Sequence, residues 1–374
     1  MPADAEFAYC VCQPGAEPAL KQEVAARAPA WRFAFSRPGF VTFKLPEPTP
    51  PDRFDPMRLT FARAIGLSFG RLDADEADGA AFAARVWAMP AVAELIAAGP
   101  VRLQVWRRES QLPGDDGHEP GPTAESLAAM EALRAAAPEG AVTSDSRMSL
   151  DVALVEPNQW WAGAHAIRSR TDRWAGGTPR VEAPEHAVSR AYLKLKEGLL
   201  WSGLPAAPGD YWLELGCAPG GASQALLDAG MRVVGVDPAE VDPIVTAHPD
   251  FEHLRARANE IGVDEVTDIA WITSDINAAP DYTLDAVERL VTHPSTHVRG
   301  LLLTLKLLGP NLARPEVVAA TIGRVRSWGY GEVRTRQLAH NRREYCLAAV
   351  RSRGQRRLAR GRKRQADPRK GTRR

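Results

Sequence analysis

Late in the chain a lysine stands inside an apolar run, Leu301-Leu302-Leu303-Thr304-Leu305-Lys306-Leu307-Leu308. An unpaired ammonium in such surroundings is strongly unfavourable or gives up its proton, so the position asks for a chemical reason. Lysine is also scarce here: seven, at 21, 44, 194, 196, 306, 363 and 370, against forty arginines. Arginine stays charged, whereas burial or a neighbouring cation can strip a lysine of its proton and make it a base. The competing reading is that Lys306 ends a strand and its head snorkels to water.

A second constellation lies upstream. Tyr211-Trp212-Leu213-Glu214-Leu215-Gly216-Cys217-Ala218-Pro219-Gly220-Gly221 reads as a strand entering a glycine turn, with a helix from about Ala222 to Ala229. Met231 to Val236 is then a strand ending at the acid Asp237. An acid about twenty residues after the first glycine of a βαβ unit grips ribose hydroxyls. The loop is Gly-x-x-x-Gly-Gly, so the pyrophosphate cradle of a dinucleotide site is missing. A cofactor with a ribose and no phosphates, S-adenosylmethionine foremost, fits this pattern; a purely structural glycine turn is the alternative.

The sheet that would position these groups can be extended. Ile269 to Asp275 reads as a strand ending in an acid, and Tyr345 to Val350 as a late strand preceded by Arg342-Arg343-Glu344. In an open α/β sheet ligands bind beyond the carboxyl ends of the strands, where Asp275 and Lys306 both fall. Lys194 lies on a helix expected over Ser189 to Leu200, and Lys196, two residues on, points elsewhere. Taken singly, Asp275 reads as a cap and Glu344 as a solvated charge.

Together these segments resemble a family. Ser189-Arg190-Ala191-Tyr192-Leu193-Lys194-Leu195, Leu213 to Gly221, Ser274-Asp275, Leu305-Lys306-Leu307 and His340-Asn341-Arg342-Arg343-Glu344 resemble, in order, the signatures of FtsJ-like RNA ribose 2′-O-methyltransferases. The resemblance implies a catalytic Lys-Asp-Lys-Glu tetrad at Lys194, Asp275, Lys306 and Glu344. It implies S-adenosyl-L-methionine held by Glu214, Gly216, Cys217, Ala218, Pro219, Gly220, Gly221, Asp237 and Asp275. Where the family carries an acid for the adenine, this chain reads Leu254-Arg255-Ala256-Arg257-Ala258-Asn259-Glu260, with Asn259 as the substitute. Tyr9-Cys10-Val11-Cys12-Gln13-Pro14-Gly15 and Leu59-Thr60-Phe61-Ala62-Arg63 look like the start of RlmM-type 23S rRNA cytidine 2′-O-methyltransferases, which carry a THUMP-containing module there. The implied partner is RNA, in particular 23S rRNA.

The chemistry agrees with the resemblance. A ribose hydroxyl is a poor nucleophile that needs a positioned base and an aligned methyl donor. Lys194 close to Lys306 in a partly dry cleft is expected to depress one of the two lysines, leaving Lys306 as base. Asp275 would position Lys306, with Lys194 and Glu344 orienting the hydroxyl. Covalent base methylation would need a cysteine beside the substrate, but Cys217 lies in the glycine turn and no Pro-Cys dipeptide occurs. The loop for methylating a base amine is absent, since that position reads Ser274-Asp275-Ile276-Asn277. Cys10-x-Cys12 has no matching pair, so no metal is expected. The alternative from another class is a catalytically silent RNA-binding or ribosome-assembly factor that keeps the fold.

Composition bounds the rest. The 374 residues, 45% hydrophobic, have room for two domains. No apolar run approaches about 20 residues, so no membrane span or signal peptide is expected, and four cysteines without framework spacing suit a reducing cytoplasm. Net charge is only +1, but residues 351–374 hold twelve Lys or Arg and one acid, leaving the body acidic. The expected fold class is α/β, a Rossmann-like methyltransferase domain preceded by an α+β THUMP-like RNA-binding domain. The expected division is 1–168 for the amino-terminal region, 169–184 for a linker, 185–352 for the methyltransferase domain and 353–374 for a disordered basic tail. Pro46 to Pro56 reads as a stiff linker, Ala80 to Ala98 as one helix, and Arg168, Arg170 and Arg173 as candidates to line the substrate cleft.

Overall fold

The computed structural model describes residues 4–75, 78–118, 120–307, 309 and 313–352. The tail expected at 353–374 lies outside the described residues. The chain divides into two compact units, Met1–Arg180 with Gln337–Arg342, and Val181–Arg336 with the segment from Arg343 onward.

In chain order the first unit contains β1 (Ala5–Val11), α1 (Glu17–Arg27), β2 (Arg32–Arg37), β3 (Phe40–Thr49) and β4 (Ala64–Asp73). There follow α2 (Gly79–Trp87), α3 (Pro90–Ala97), β5 (Arg102–Arg107), α4 (Ala124–Ala135), β6 (Met148–Glu156) and β7 (Gln159–Ala166). The strands make one sheet in the order β2-β3-β1-β4-β7-β6-β5, and only β5 and β6 run parallel. Phe82, Val86, Val92, Leu133 and Leu150 form the core between this sheet and α2, α3 and α4.

Several expectations change here. The helix expected over Ala80 to Ala98 is two helices, because Pro90 lacks an N–H and takes the first turn of the second. The expected linker at Pro46 to Pro56 continues β3 as far as Thr49. Pairing with β2 has ended at Lys44, so Pro46 and Pro48 leave no ladder bond on that side unmade. Residues 169–180, expected as linker, are packed into the first unit. His165 Nε2 and Gln104 Nε2 both donate to the Asp172 carbonyl at 2.7 Å, and a Cβ at Gly177 would lie 2.4 Å from the Arg63 carbonyl oxygen. Arg168, expected at the cleft, pairs with Asp55 and donates to the Phe54 carbonyl at 2.9 Å.

The second unit contains α5 (Ala191–Ser202), β8 (Tyr211–Leu215), α6 (Gly221–Asp228), β9 (Arg232–Val236), α7 (Pro243–Thr246), β10 (Phe251–Leu254) and β11 (Trp271–Ser274). It continues with α8 (Pro280–Thr292), β12 (Gly300–Lys306), α9 (Pro315–Ser327), β13 (Glu332–Arg336) and β14 (Glu344–Val350). The sheet order is β10-β9-β8-β11-β12-β14-β13. All neighbours are parallel except β14, which runs against both β12 and β13. Parallel strands covered by helices on both faces read as continuous apolar runs, which is why Leu301 to Leu303 are buried without alternation. This is the Rossmann-like α/β architecture expected for the carboxy-terminal domain. Residues 337–342, expected inside that domain, belong instead to the first unit. There the Gln337 N–H donates to the Thr60 carbonyl at 2.6 Å and Arg342 pairs with Asp115 at 2.9 Å.

Candidate active site

The reversed direction of β14 builds the site. Because β14 is antiparallel to β12, its first residue, Glu344, is the register partner of the last residue of β12, Lys306. The Leu307 N–H closes the pair by donating to the Arg343 carbonyl at 2.7 Å. On the other side β11 runs parallel to β12, with Ser274 opposite Leu303, so Asp275 emerges at the same end of the sheet. The fourth member comes from α5. Gly198 lets that helix approach β12 so closely that a Cβ there would lie 3.3 Å from Leu302, and Lys194 is one turn earlier on the same face.

The four side chains form a closed ring of ion pairs. Lys306 Nζ lies 2.6 Å from Asp275 Oδ1 and 2.6 Å from Glu344 Oε2. Lys194 Nζ lies 3.1 Å from Asp275 Oδ2 and 2.5 Å from Glu344 Oε1. Each carboxylate thus bridges both ammonium groups, and the ring sums to zero charge. Lys306 is 9% exposed and Glu344 4%, so the snorkelling reading of Lys306 does not describe it. Lys196 turns away, donating to the Glu182 carbonyl and the Tyr192 hydroxyl, each at 3.3 Å.

The electrostatics correct one expectation. Burial lowers the proton affinity of Lys306, but Asp275 and Glu344 outweigh it and hold the group above the ordinary lysine value. Lys306 is therefore protonated at rest, because its neighbours are two anions and the second lysine is itself neutralised by them. Burial likewise raises the Glu344 carboxyl, and Lys194 and Lys306 more than reverse it, leaving it below the usual range.

The cofactor candidates cluster at the adjacent strand ends. Gly216 (φ +81°) and Gly220 (φ +121°) adopt left-handed backbone that favours glycine, and a Cβ at Gly216 would lie 2.7 Å from Ile276. The turn Gly216 to Gly221, including Cys217, Ala218 and Pro219, is tied to β9, since the Gly216 and Cys217 N–H groups donate to the Val236 carbonyl. Asp237 accepts from the Ala218 N–H at 3.2 Å and the Ala239 N–H at 2.8 Å, and remains half-buried with lone pairs to spare. Glu214 is buried at the end of β8 and accepts a hydrogen bond from the Ser223 hydroxyl of α6. Burial lifts its pKa to about 8, with Asp275 and Asp237 adding to the rise and the Ser223 bond opposing it. Asn259 is exposed on the turn after β10, where its amide oxygen accepts from the Tyr282 hydroxyl at 3.3 Å.

This donor set fits a ribose-bearing cation without phosphates. Asp237 supplies a carboxylate for two hydroxyls and lies outside the neutral ring, and no basic residue stands in the turn Gly216 to Gly221 to neutralise a phosphate. Sequence reasoning did not single out Ser223 or Gly198. The pairing of Gly198 with Lys194 at i, i+4 was the signal available for the second; the first is a contact between elements with no local signature.

Comparison with known proteins agrees. Residues 187–308 match the family model of the FtsJ-like methyltransferases. The chain is 30% identical to the ribosomal RNA large subunit methyltransferase M of Halorhodospira halophila over 226 residues, 59% of this chain and 62% of that protein. It is 33% identical to the protein of the same name from Alkalilimnicola ehrlichii over 188 residues, 48% of this chain and 50% of that protein. The matches thus span from half to about three fifths of the length of these relatives. The residues that match the family model run from just before α5 to just after β12, within the carboxy-terminal unit.

Proposed function

We propose that the protein is an S-adenosylmethionine-dependent RNA ribose 2′-O-methyltransferase, acting on a cytidine of 23S rRNA. The observation that carries the reading is the closed ring of Lys194, Asp275, Lys306 and Glu344, seated beside a glycine turn suited to a cationic nucleoside. When bound, S-adenosylmethionine supplies an electrophilic methyl group on a sulfonium. Asp237 would hold its ribose hydroxyls and the turn Gly216 to Gly221 would pack against it.

Lys306 takes the proton of the ribose hydroxyl as the oxygen attacks. It does so only after losing its own, so a further positive charge near the ring, which weakens its hold on the proton, favours the reactive state. Asp275 fixes the Lys306 head by its 2.6 Å contact, and Lys194 with Glu344 orients the hydroxyl. The four groups titrate as a unit, so the roles describe the division of contacts rather than separate pKa values. The amino-terminal α+β unit, of THUMP type in this reading, docks the RNA. The numerous relatives named as large-subunit rRNA methyltransferases support the choice of substrate.

Lys306→Ala tests the reading. It is expected to bind S-adenosylmethionine nearly as the wild type does by calorimetry, and to lose at least about a hundredfold in methyl transfer from labelled cofactor to undermethylated 23S rRNA. Transfer retained within tenfold would remove Lys306 as the base. Transfer by wild type to a base rather than a ribose, read from nuclease digests, would replace the reaction class.

A further inference from the structure

We propose that Glu214 is a proton-linked positioning residue: its carboxyl is neutral in the cofactor-free protein and gives up its proton when a cationic cofactor binds. The inference rests on the methyltransferase reading above and adds a charge-sensing role at the same site.

Glu214 is the penultimate residue of β8, two positions before Gly216 of the glycine turn, and is 2% exposed. Its hydrogen bond among the described residues comes from Ser223 Oγ, and no ion pair reaches it there. A carboxylate so desolvated needs a counter-charge or a proton. The groups that face it offer none. From β9 comes the carboxylate Asp237 and from β11 the carboxylate Asp275, while the turn contributes the buried Cys217 thiol, which burial keeps protonated. From α5, Lys194 lines the same small cavity as Glu214 and Asp275, but its ammonium is bridged by Asp275 and Glu344. Lys306 is satisfied by the same two carboxylates. Two lysines therefore cancel two acids, and among the described residues no cation pairs with Asp237 or Glu214. Asp237 is half-buried and within reach of water, whereas Glu214 is buried, and burial holds its carboxyl up at about 8.

S-adenosylmethionine carries a sulfonium and an ammonium against one carboxylate, hence a net positive charge. With that charge beside it, ionised Glu214 gains the partner it lacked and its proton passes to solvent. Charge balances, because a neutral acid and a cation become an ion pair plus one released proton. After methyl transfer the sulfonium is a neutral thioether, the net charge of the ligand is zero, and Glu214 takes a proton back. The site then holds product less firmly than substrate, on account of its own acid.

Calorimetric titration of the full chain with S-adenosylmethionine at pH 7, in two buffers of different ionisation heat, counts the protons released. The expected count for wild type is close to one per cofactor, falling in Glu214→Gln and with S-adenosylhomocysteine. By linkage, wild-type affinity for S-adenosylmethionine should rise as pH rises, by at most about tenfold per unit, and level off above about pH 8. The Gln variant should lack this slope. Ser223→Ala removes the bond that favours the ionised form, so its affinity should level off at a higher pH, and this variant carries the test should Glu214→Gln bind poorly. Equal proton counts and slopes in wild type and Glu214→Gln, or an unchanged levelling point in Ser223→Ala, would overturn the inference while leaving the methyltransferase reading intact. A wild type that binds no S-adenosylmethionine would overturn both.

Discussion

At the scale of single residues, the neutral ring of two lysines and two acids explains why Lys306 rests protonated and predicts how its reactivity moves with pH. A base works only once deprotonated, so the transfer rate should rise with pH through the apparent pKa of the ring. Glu344 is one of two anions that hold the Lys306 proton. Glu344→Gln should therefore shift the rising limb to lower pH, even as lost orientation lowers the maximal rate. Initial rates with labelled cofactor and saturating RNA, taken between about pH 6 and 10, read the limb. A limb that stays put would mean the titrating group is not Lys306. Much at this scale was legible from the sequence, because a lysine in an apolar run is chemically expensive and an acid at a strand end has few structural uses. The sign of the Lys306 shift was not, since it depends on both carboxylates reaching the same Nζ across three strands.

At the scale of elements, the parallel strands β8, β9, β11 and β12 were readable, whereas β4 and β7 were not. β4 carries Gly66 and Gly70, and β7 reads Gln-Trp-Trp-Ala-Gly-Ala-His-Ala, so neither alternates as a half-buried strand should. The glycines have a packing reason: a Cβ at Gly66 would lie 2.6 Å from the Tyr9 ring, and one at Gly163 would lie 2.2 Å from the Leu67 carbonyl oxygen. Tyr9 leans into that space to reach a buried polar knot that ties β1, β6 and β7 together. Asp151, 1% exposed, accepts from Tyr9 Oη at 2.8 Å, Ser149 Oγ at 2.8 Å and His165 Nδ1 at 2.6 Å. Burial lowers the His165 pKa, but Asp151 and the Asp172 carbonyl outweigh it and raise it to about 9, so the pair is ionic at neutral pH. Removing one member strands the other charge in the core, and His165→Leu should destabilise the first unit by about 3–5 kcal/mol in urea unfolding. The sign of the pH dependence follows from the raised value. The imidazolium contribution is complete below the ordinary histidine pKa of 6.5 and is lost as pH rises through about 9, so the gap between wild type and variant should narrow over that window. A gap that is constant with pH would mean His165 is not charged there.

At the scale of the whole molecule, the return of Gln337–Arg342 to the first unit was hidden from the sequence, because nothing local to Gln337 announces a bond to Thr60, far away in the chain. Charge distribution, by contrast, is a property of the sequence alone. Residues 351–374 hold twelve Lys or Arg and one acid, and the remaining residues hold thirty-five basic against forty-five acidic. A body with net charge of minus ten repels a phosphate backbone at long range, so an RNA partner needs either this basic segment or a local basic cleft to overcome it. The first alternative makes a measurable claim. Each phosphate neutralised adds about 0.7–0.9 to the slope of log affinity against log salt, so removing residues 353–374 should weaken RNA binding and flatten that slope by several of these steps. Cofactor affinity should not change, since Asp237, Glu214 and the glycine turn all lie before the deletion. Filter binding of full-length and truncated protein to 23S rRNA fragments across a salt series gives both quantities. Equal slopes would assign recognition to a cleft within the body, and Arg190, which immediately precedes the helix bearing Lys194, would be the next residue to replace.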